Sequence, residues 1–170
     1  QALATLMSQS RSVAVAGTHG KTTTSSMLTV ALQSCGLDPS FAIGGTLTAS
    51  GSNAHKGTGD LFVAEADESD GSFIEYHPFA AIVTNIEHDH VDYFLKPEDV
   101  TSAFNSFAAT ISQDGVLVYC ADDAGSASLG NSATLRSDIQ KISYGTSEGS
   151  DLYIDSVNLL AMGSTSRILW

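Results

Sequence analysis

The sequence predicts an α/β fold: a mostly parallel, doubly wound sheet flanked by helices, with a β-ribbon at its C-terminal end. Three observations carry that expectation. Short apolar runs of strand length alternate with longer stretches of helical periodicity. The first run, Val13-Ala14-Val15-Ala16, passes through a glycine-bearing turn straight into a helical pattern. Two later runs, Leu61-Phe62-Val63-Ala64 and Ala80-Ala81-Ile82-Val83-Thr84, end in clusters of acids and histidines, so the reactive side chains gather where strands stop.

Taken in order, residues 1–9 read as the end of a helix with Leu3, Leu6 and Met7 on one face. A strand at 12–16 follows. The helix expected at 22–35 repeats Met27, Leu28, Val30, Ala31 and Leu32 along its apolar face; Gly36 stops it, and Pro39 prevents continuation. Phe41-Ala42-Ile43 is a second short strand, ending at Gly44-Gly45. Residues 46–59, rich in Gly, Ser, Thr and Asn, read as a loop whose length favours a functional role. The runs at 61–64 and 80–84 are the third and fourth strands. A helix at 97–111 opens with Pro97 in its first turn and carries Val100, Phe104, Phe107 and Ala108 inward. Asp114-Gly115 turns into a strand at 116–119, residues 123–129 form a short helix, and 139–144 another strand. The tail departs from this alternation: residues 152–154, 157–160 and 167–170 read as ribbon with Gly163-Ser164 as its turn, and strands to partner it are not evident.

A chain of 170 residues, 42% apolar, is long enough for one well-filled domain. Seven Lys and Arg against nineteen Asp and Glu leave a formal charge of -12, which argues against nucleic acid and anionic membrane as partners. No apolar run approaches the ~20 residues that span a bilayer. The opening residues are too short and polar for a signal peptide, and the missing initiator Met suggests a cut chain. Cys35 and Cys120 lack metal-site or redox spacing and read as free, mostly buried thiols of a cytoplasmic protein.

The turn after the first strand has the chemistry of an ATP-binding phosphate loop. Gly17 and Gly20 let the backbone fold tightly and turn its N–H groups toward an anion, and the following helix aims its dipole at the same point. Lys21 supplies a point charge for a β/γ-phosphate and Thr22 a hydroxyl for Mg²⁺. The expected nucleotide-binding set is Gly17, Thr18, His19, Gly20, Lys21, Thr22 and Thr23, on a P-loop-type sheet. The match to the generic motif is incomplete, because Val15 stands where that motif has its first glycine.

Ligands of open α/β sheets sit beyond the carboxyl ends of the strands. Glu65, at such an end, is expected to bind a magnesium that bridges ATP phosphates. Asp67, Glu68 and Asp70 are read as a solvated acidic turn. After the fourth strand, Glu87-His88-Asp89-His90 leaves three readings open: a histidine completing a magnesium–phosphate site, a zinc site using His88 and His90 with Asp89 and Asp92, or a polar loop with capping histidines. His19, His55 and His77 are each read as loop or structural histidines.

In this order, and each after a strand, Gly17-Thr18-His19-Gly20-Lys21-Thr22-Thr23-Thr24, Glu65-Ala66-Asp67-Glu68-Ser69-Asp70 and Thr84-Asn85-Ile86-Glu87-His88-Asp89-His90 resemble the ATP-binding central domain of the Mur ligases. Gly44-Gly45, Asn53-Ala54-His55 and Cys120-Ala121-Asp122-Asp123 fit the same family, and the likeness runs over about residues 6–144. His19 sets the chain apart from members that add later residues, and Ser69 and His88 are most similar to the members that join L-alanine to UDP-N-acetylmuramate in peptidoglycan synthesis; members that reattach a recovered peptide to the same sugar nucleotide share the His-bearing loop and are the nearest alternative. The resemblance implies ATP and Mg²⁺ as cofactors, UDP-N-acetylmuramate and L-alanine as substrates, and a cytoplasmic location. It implies an acyl phosphate on the lactyl carboxylate, attacked by the alanine amine through a tetrahedral intermediate. Carried over residue by residue, the catalytic set is Lys21, Glu65 and His90: Lys21 on the transferring phosphoryl group, Thr22 and Glu65 on a first Mg²⁺, His90 on a second. The carbamylated lysine of sibling ligases has no counterpart in the helix at 97–111. The family pattern also implies that residues 1–170 are the central domain alone, with the N-terminal UDP-binding and C-terminal domains absent, and inactive by itself. A non-catalytic nucleotide-binding module or GTPase-like switch would carry a guanine-reading Asn-Lys-x-Asp, which the chain lacks; a purely structural domain would bind no nucleotide.

Overall fold

The computed structural model describes residues 2–48 and 50–170; Gln1, in the expected first helix, and Ala49, in the expected loop, lie outside the described residues. The chain runs through α1 (Ala2–Met7), β1 (Arg11–Ala16), α2 (Lys21–Ser34), β2 (Ser40–Leu47), β3 (Ser52–His55), β4 (Leu61–Glu65), a 3₁₀ turn (Ser72–Glu75), β5 (Ala80–Val83), α3 (Pro97–Ala109), β6 (Val116–Cys120), α4 (Ala124–Gly130), β7 (Gln140–Gly145), β8 (Leu152–Leu160) and β9 (Gly163–Leu169). Among the described residues these strands form one nine-stranded sheet in the order β3-β2-β4-β1-β5-β6-β7-β8-β9. Pairing is parallel from β2 through β8; the antiparallel pairs β2–β3 and β8–β9 lie at the two edges. This is the expected α/β class with its C-terminal ribbon.

The central strands are covered on both faces, which is why they read as unbroken apolar runs. Ala14, Ala16, Ala64, Ala81, Val83 and Leu117 face a core shared with Met7 of α1, Phe104 and Phe107 of α3 and Leu129 of α4. The opposite face holds Phe41, Ile43, Leu47 and Val63 under Leu28 and Leu32 of α2. All four residues expected to point inward from α3 are buried. Phe73, in the 3₁₀ turn, is fully buried between Phe104 and Phe107, with ring centroids 5.3 and 5.0 Å away. That anchor fixes the segment leaving β4.

Five local expectations are corrected. The buried face of α2 carries Ser25 and Thr29, while Met27, Val30 and Ala31 are exposed. Hydroxyls fit there because Ser25 Oγ donates to Lys21 O (2.8 Å) and Thr29 Oγ1 to Ser25 O (2.8 Å), so no polar group is left unmet. β2 does not end at Gly44-Gly45 but runs to Leu47, with an irregular register between Ala42 and Leu47, where glycines relax the pleat. The segment expected as loop contains β3, hairpinned onto β2. The ribbon turns at Ala161-Met162, and Gly163-Ser164 already belongs to β9. The Cys35 thiol, expected to be buried, is exposed just beyond α2. No helix among the described residues is long and apolar enough to cross a membrane.

The ribbon joins the sheet through a short seam. Among the described residues, only Tyr144↔Leu152 and Gly145↔Tyr153 pair β7 with β8. Asp151 reinforces it: its Oδ2 accepts from Ser143 N (2.8 Å) and Ser143 Oγ (2.7 Å), and these bonds hold its carboxyl below the usual range. A depressed folded-state pKa stabilises above the unfolded value, about 3.9, and that contribution disappears as pH falls through the folded value. Asp151→Ala at neutral pH, and the unmodified chain acidified below about pH 4, therefore exchange amides of β8 faster relative to β1. Hydrogen exchange corrected for intrinsic rates measures this, and unchanged protection of β8 would dismiss the seam.

Candidate active site

Three loops leave the same edge of the sheet, after β1, β4 and β5, because β1 pairs in register with both neighbours: Val15↔Glu65 on one side and Ala16↔Val83 on the other. The loop after β1 is sewn to the loop after β5. Thr18 N donates to Asn85 O (3.1 Å), His19 N to Asn85 Oδ1 (2.8 Å), Thr84 Oγ1 to His19 O (2.6 Å), and Glu87 N to Thr18 Oγ1 (2.9 Å). Gly17 makes this approach possible: its φ is +137°, and a Cβ there would lie 2.0 Å from Thr84 Oγ1. Gly20, at φ 82°, sits in the left-handed region at the N-cap of α2. No side chain caps that helix and no acid stands in its first turn, so its leading N–H groups and dipole are free to meet an anion.

Two polar groups flank the helix start. Thr22 Oγ1 donates to Glu65 Oε1 at 2.7 Å, and Gly44 N donates to Glu65 Oε2 at 2.5 Å, fixing the carboxylate from both sides. Gly44 leaves room for it; a Cβ there would sit 2.9 Å from Oε2. In the second group, Lys21 Nζ donates to Gly17 O (2.8 Å), Thr18 O (3.3 Å) and both oxygens of Glu68 (2.9 and 3.2 Å). His90 Nε2 lies 3.4 Å from Glu68 Oε1. Glu68 is 1% exposed. Losing one partner of such a buried ion pair costs about 3–5 kcal/mol. His90 has a left-handed backbone, φ 52°, and its N–H bonds to Asp89 Oδ1 (2.7 Å), which holds the Asp89 carboxyl below its ordinary range.

The structure thus brings Gly17, Thr18, His19, Gly20, Lys21 and Thr22 together at one sheet edge, with Thr23 exposed on the first turn of α2. It divides the expected metal residues. Thr22 and Glu65 are in contact, whereas His90 clusters with Asp67 and Glu68, whose ligand atoms all lie within 4.8 Å. Glu68 is the residue the sequence reading missed: the acidic turn is not uniformly solvated. Its signal was present as alternation, since Ala66 inward, Asp67 outward and Glu68 inward continue the period of β4 past its last residue. The zinc reading is not supported, for His88 Nε2 meets Phe94 O (3.0 Å) while His90 meets Glu68. His19 is exposed, 3.9 Å from Glu87. His55 pairs with Asp38 at 3.1 Å in the hairpin, and His77 is exposed at the opposite sheet edge, before β5. Asp123 is structural: its Oδ1 accepts from Ser126 N (2.7 Å), capping α4, and from Ile86 N (3.0 Å), pinning the histidine loop.

The sequence profile of the Mur ligase middle domain matches residues 15–169. The chain belongs to the Mur ligase family. Among the relatives of this Mur ligase domain, the UDP-N-acetylmuramate–L-alanine ligase of Nocardioides sp. is 63% identical over 128 residues, 75% of this chain and 29% of that protein. The enzyme of the same name from Rhodococcus jostii is 51% identical over 164 residues, 95% of this chain and 33% of that protein. The chain spans about a third of the length of the curated relatives it matches. Among solved structures, the Neisseria UDP-N-acetylmuramate:L-alanyl-γ-D-glutamyl-meso-diaminopimelate ligase superposes with a TM-score of 0.81 at 27% identity, covering 96% of this chain and 53% of that one. The UDP-N-acetylmuramate–alanine ligase of Thermotoga maritima gives 0.78 at 25% identity, covering 96% and 35%.

The two glycines of this Mur ligase site differ in what surrounds them. Gly17→Ala meets a fixed threonine in a strained backbone and costs at least about 2 kcal/mol. Gly44→Ala meets only the Glu65 carboxylate, a side-chain end that can give way at the expense of its bonds to Thr22 and Gly44 N, and costs less than about 1 kcal/mol. Urea unfolding of both variants measures the contrast, and equal losses would refute it.

Proposed function

We propose that the protein carrying this domain joins L-alanine to UDP-N-acetylmuramate with cleavage of ATP, and that residues 1–170 are its nucleotide-binding centre. The observation that carries this reading is the convergence, at one sheet edge, of an uncapped helix N-terminus with Lys21, Glu65 and His90. The naming of relatives at 51 and 63% identity supports L-alanine as the amino acid. The 0.81 superposition on the Neisseria ligase keeps a second reading, with a peptide in place of L-alanine. Ser69 and His88 do not separate the two by contact, since Ser69 N bonds to Asp67 and His88 to Phe94 O.

The donor set fits magnesium. Thr22 and Glu65 offer hard oxygens, with Glu65 held in place by Gly44 N. On this reading Thr22 and Glu65 hold one Mg²⁺ and His90 another. Magnesium, when bound, supplies charge neutralisation between phosphate oxygens. The chain's own part is electrostatic and positional. The backbone of residues 17–20 and the start of α2 orient the polyphosphate, and Lys21 stabilises charge on the transferring group. The UDP-sugar and alanine contacts fall to the rest of the protein, at a cytoplasmic site.

Lys21→Ala in the full-length ligase lowers turnover by roughly 10²-fold or more with a native circular dichroism spectrum. Near-normal turnover would refute the phosphate-loop role. Glu65→Ala and His90→Ala each raise the magnesium needed for half-maximal rate; titrations with unchanged midpoints would remove both from the metal sites. Assays offering L-alanine or the tripeptide decide between the two readings. The 170-residue chain alone releases no phosphate from MgATP with both substrates present. Clear turnover there would overturn the domain assignment.

A further inference from the structure

We infer that Glu68 is a positioning residue for phosphoryl transfer: it ties Lys21 of the phosphate loop to His90 of the histidine loop and restrains the lysine against the pull of the nucleotide. The inference rests on the function proposed above and adds a residue to it. Three observations support it. Glu68 is buried, although a carboxylate is among the least tolerated groups in a protein interior unless paired. Its partners come from two different loops: Lys21 at 2.9 and 3.2 Å, and His90 at 3.4 Å on the oxygen that Lys21 also reaches. The backbone around it is independently fixed, by Gly71 N donating to Glu68 O (2.9 Å) and by Phe73 locked between Phe104 and Phe107. The carboxylate is therefore a fixed point that Lys21 Nζ and His90 Nε2 both reach from different loops.

Two opposed consequences follow. A carboxylate beside the ammonium cancels much of the positive charge that a polyphosphate would feel, so Glu68 weakens nucleotide binding. It also removes the freedom of a long, flexible side chain, so it favours the geometry that the transfer requires. A residue present only to hold the fold produces neither pattern, because its loss loosens the site and weakens binding and turnover together.

The test uses the full-length ligase with Glu68→Gln, which keeps shape and removes charge. Calorimetric ATP binding in EDTA tightens about 3- to 10-fold, while magnesium-supported kcat falls at least about 10-fold. Weaker ATP binding with a lowered melting temperature would make Glu68 structural and overturn the inference. So would an unchanged kcat, or unchanged metal-free binding with a raised magnesium requirement, which would make Glu68 a metal ligand instead. Should the Gln variant fail to fold, Glu68→Asp keeps the charge and shortens the reach: ATP affinity stays within about 2-fold and kcat falls, and an unchanged kcat overturns the inference. Wild-type enzyme that binds ATP but releases no phosphate with L-alanine overturns the proposed reaction alone. The binding comparison then decides the role of Glu68, tighter supporting it and weaker refuting it.

Discussion

The site depends on the parallel pairing of β1 with β4 on one side and β5 on the other. A parallel ladder aligns strand ends as well as strand bodies, so the three loops that follow emerge side by side. The order of the sheet reverses at this point: β2 and β4 lie to one side of β1, β5 to β7 to the other. Everything chemical is hung from that edge. The small residues Ala14, Ala16, Ala64 and Ala81 let the helices on their face of the sheet pack closely.

From this frame the polar network is built inward. Thr84 and Asn85 hold the backbone of the phosphate loop, and Asp123 holds the histidine loop from α4. Lys21 and Glu68 then meet inside a backbone already fixed by other hydrogen bonds. Their ion pair does not assemble the loops; it uses their placement. Buried charge of this kind adds little net stability over an apolar pair, and its presence at the mouth of an open sheet is better explained by chemistry than by folding.

Much of this was legible in the sequence. The strand–glycine–helix junction put Gly17, Gly20, Lys21 and Thr22 at the turn into α2, strand-end position put Glu65 on the same sheet edge, and the family resemblance paired it with Thr22, which it contacts. The α3 pattern was read correctly because Val100, Phe104 and Phe107 follow helical spacing on a face whose partners are also apolar. The α2 pattern misled, because serine and threonine that bond to their own helix can face a core, leaving methionine and valine for the surface. Glu68 was missed for the converse reason. In a run of acids each one looks solvated, and only the alternation continuing past β4, together with a lysine 47 residues away in sequence, distinguishes the buried one. The hairpin of β2 and β3 was hidden by glycine and serine, whose strand propensity is low.

The hydroxyl-bearing face of α2 has a mechanical consequence. Ser25 and Thr29 act as thin shims between the helix and the sheet, beside the partly buried Leu28 and Leu32. The spacing they set is inherited, without any intervening joint, by the first turn of the same helix, from which Lys21 and Thr22 project. An added methyl group at either shim would lift the axis and carry the ammonium and the threonine hydroxyl with it. Packing volume and reactive geometry are therefore one variable in this helix, and the tolerance of two inconspicuous small residues is set by a bond being made roughly one to two turns away.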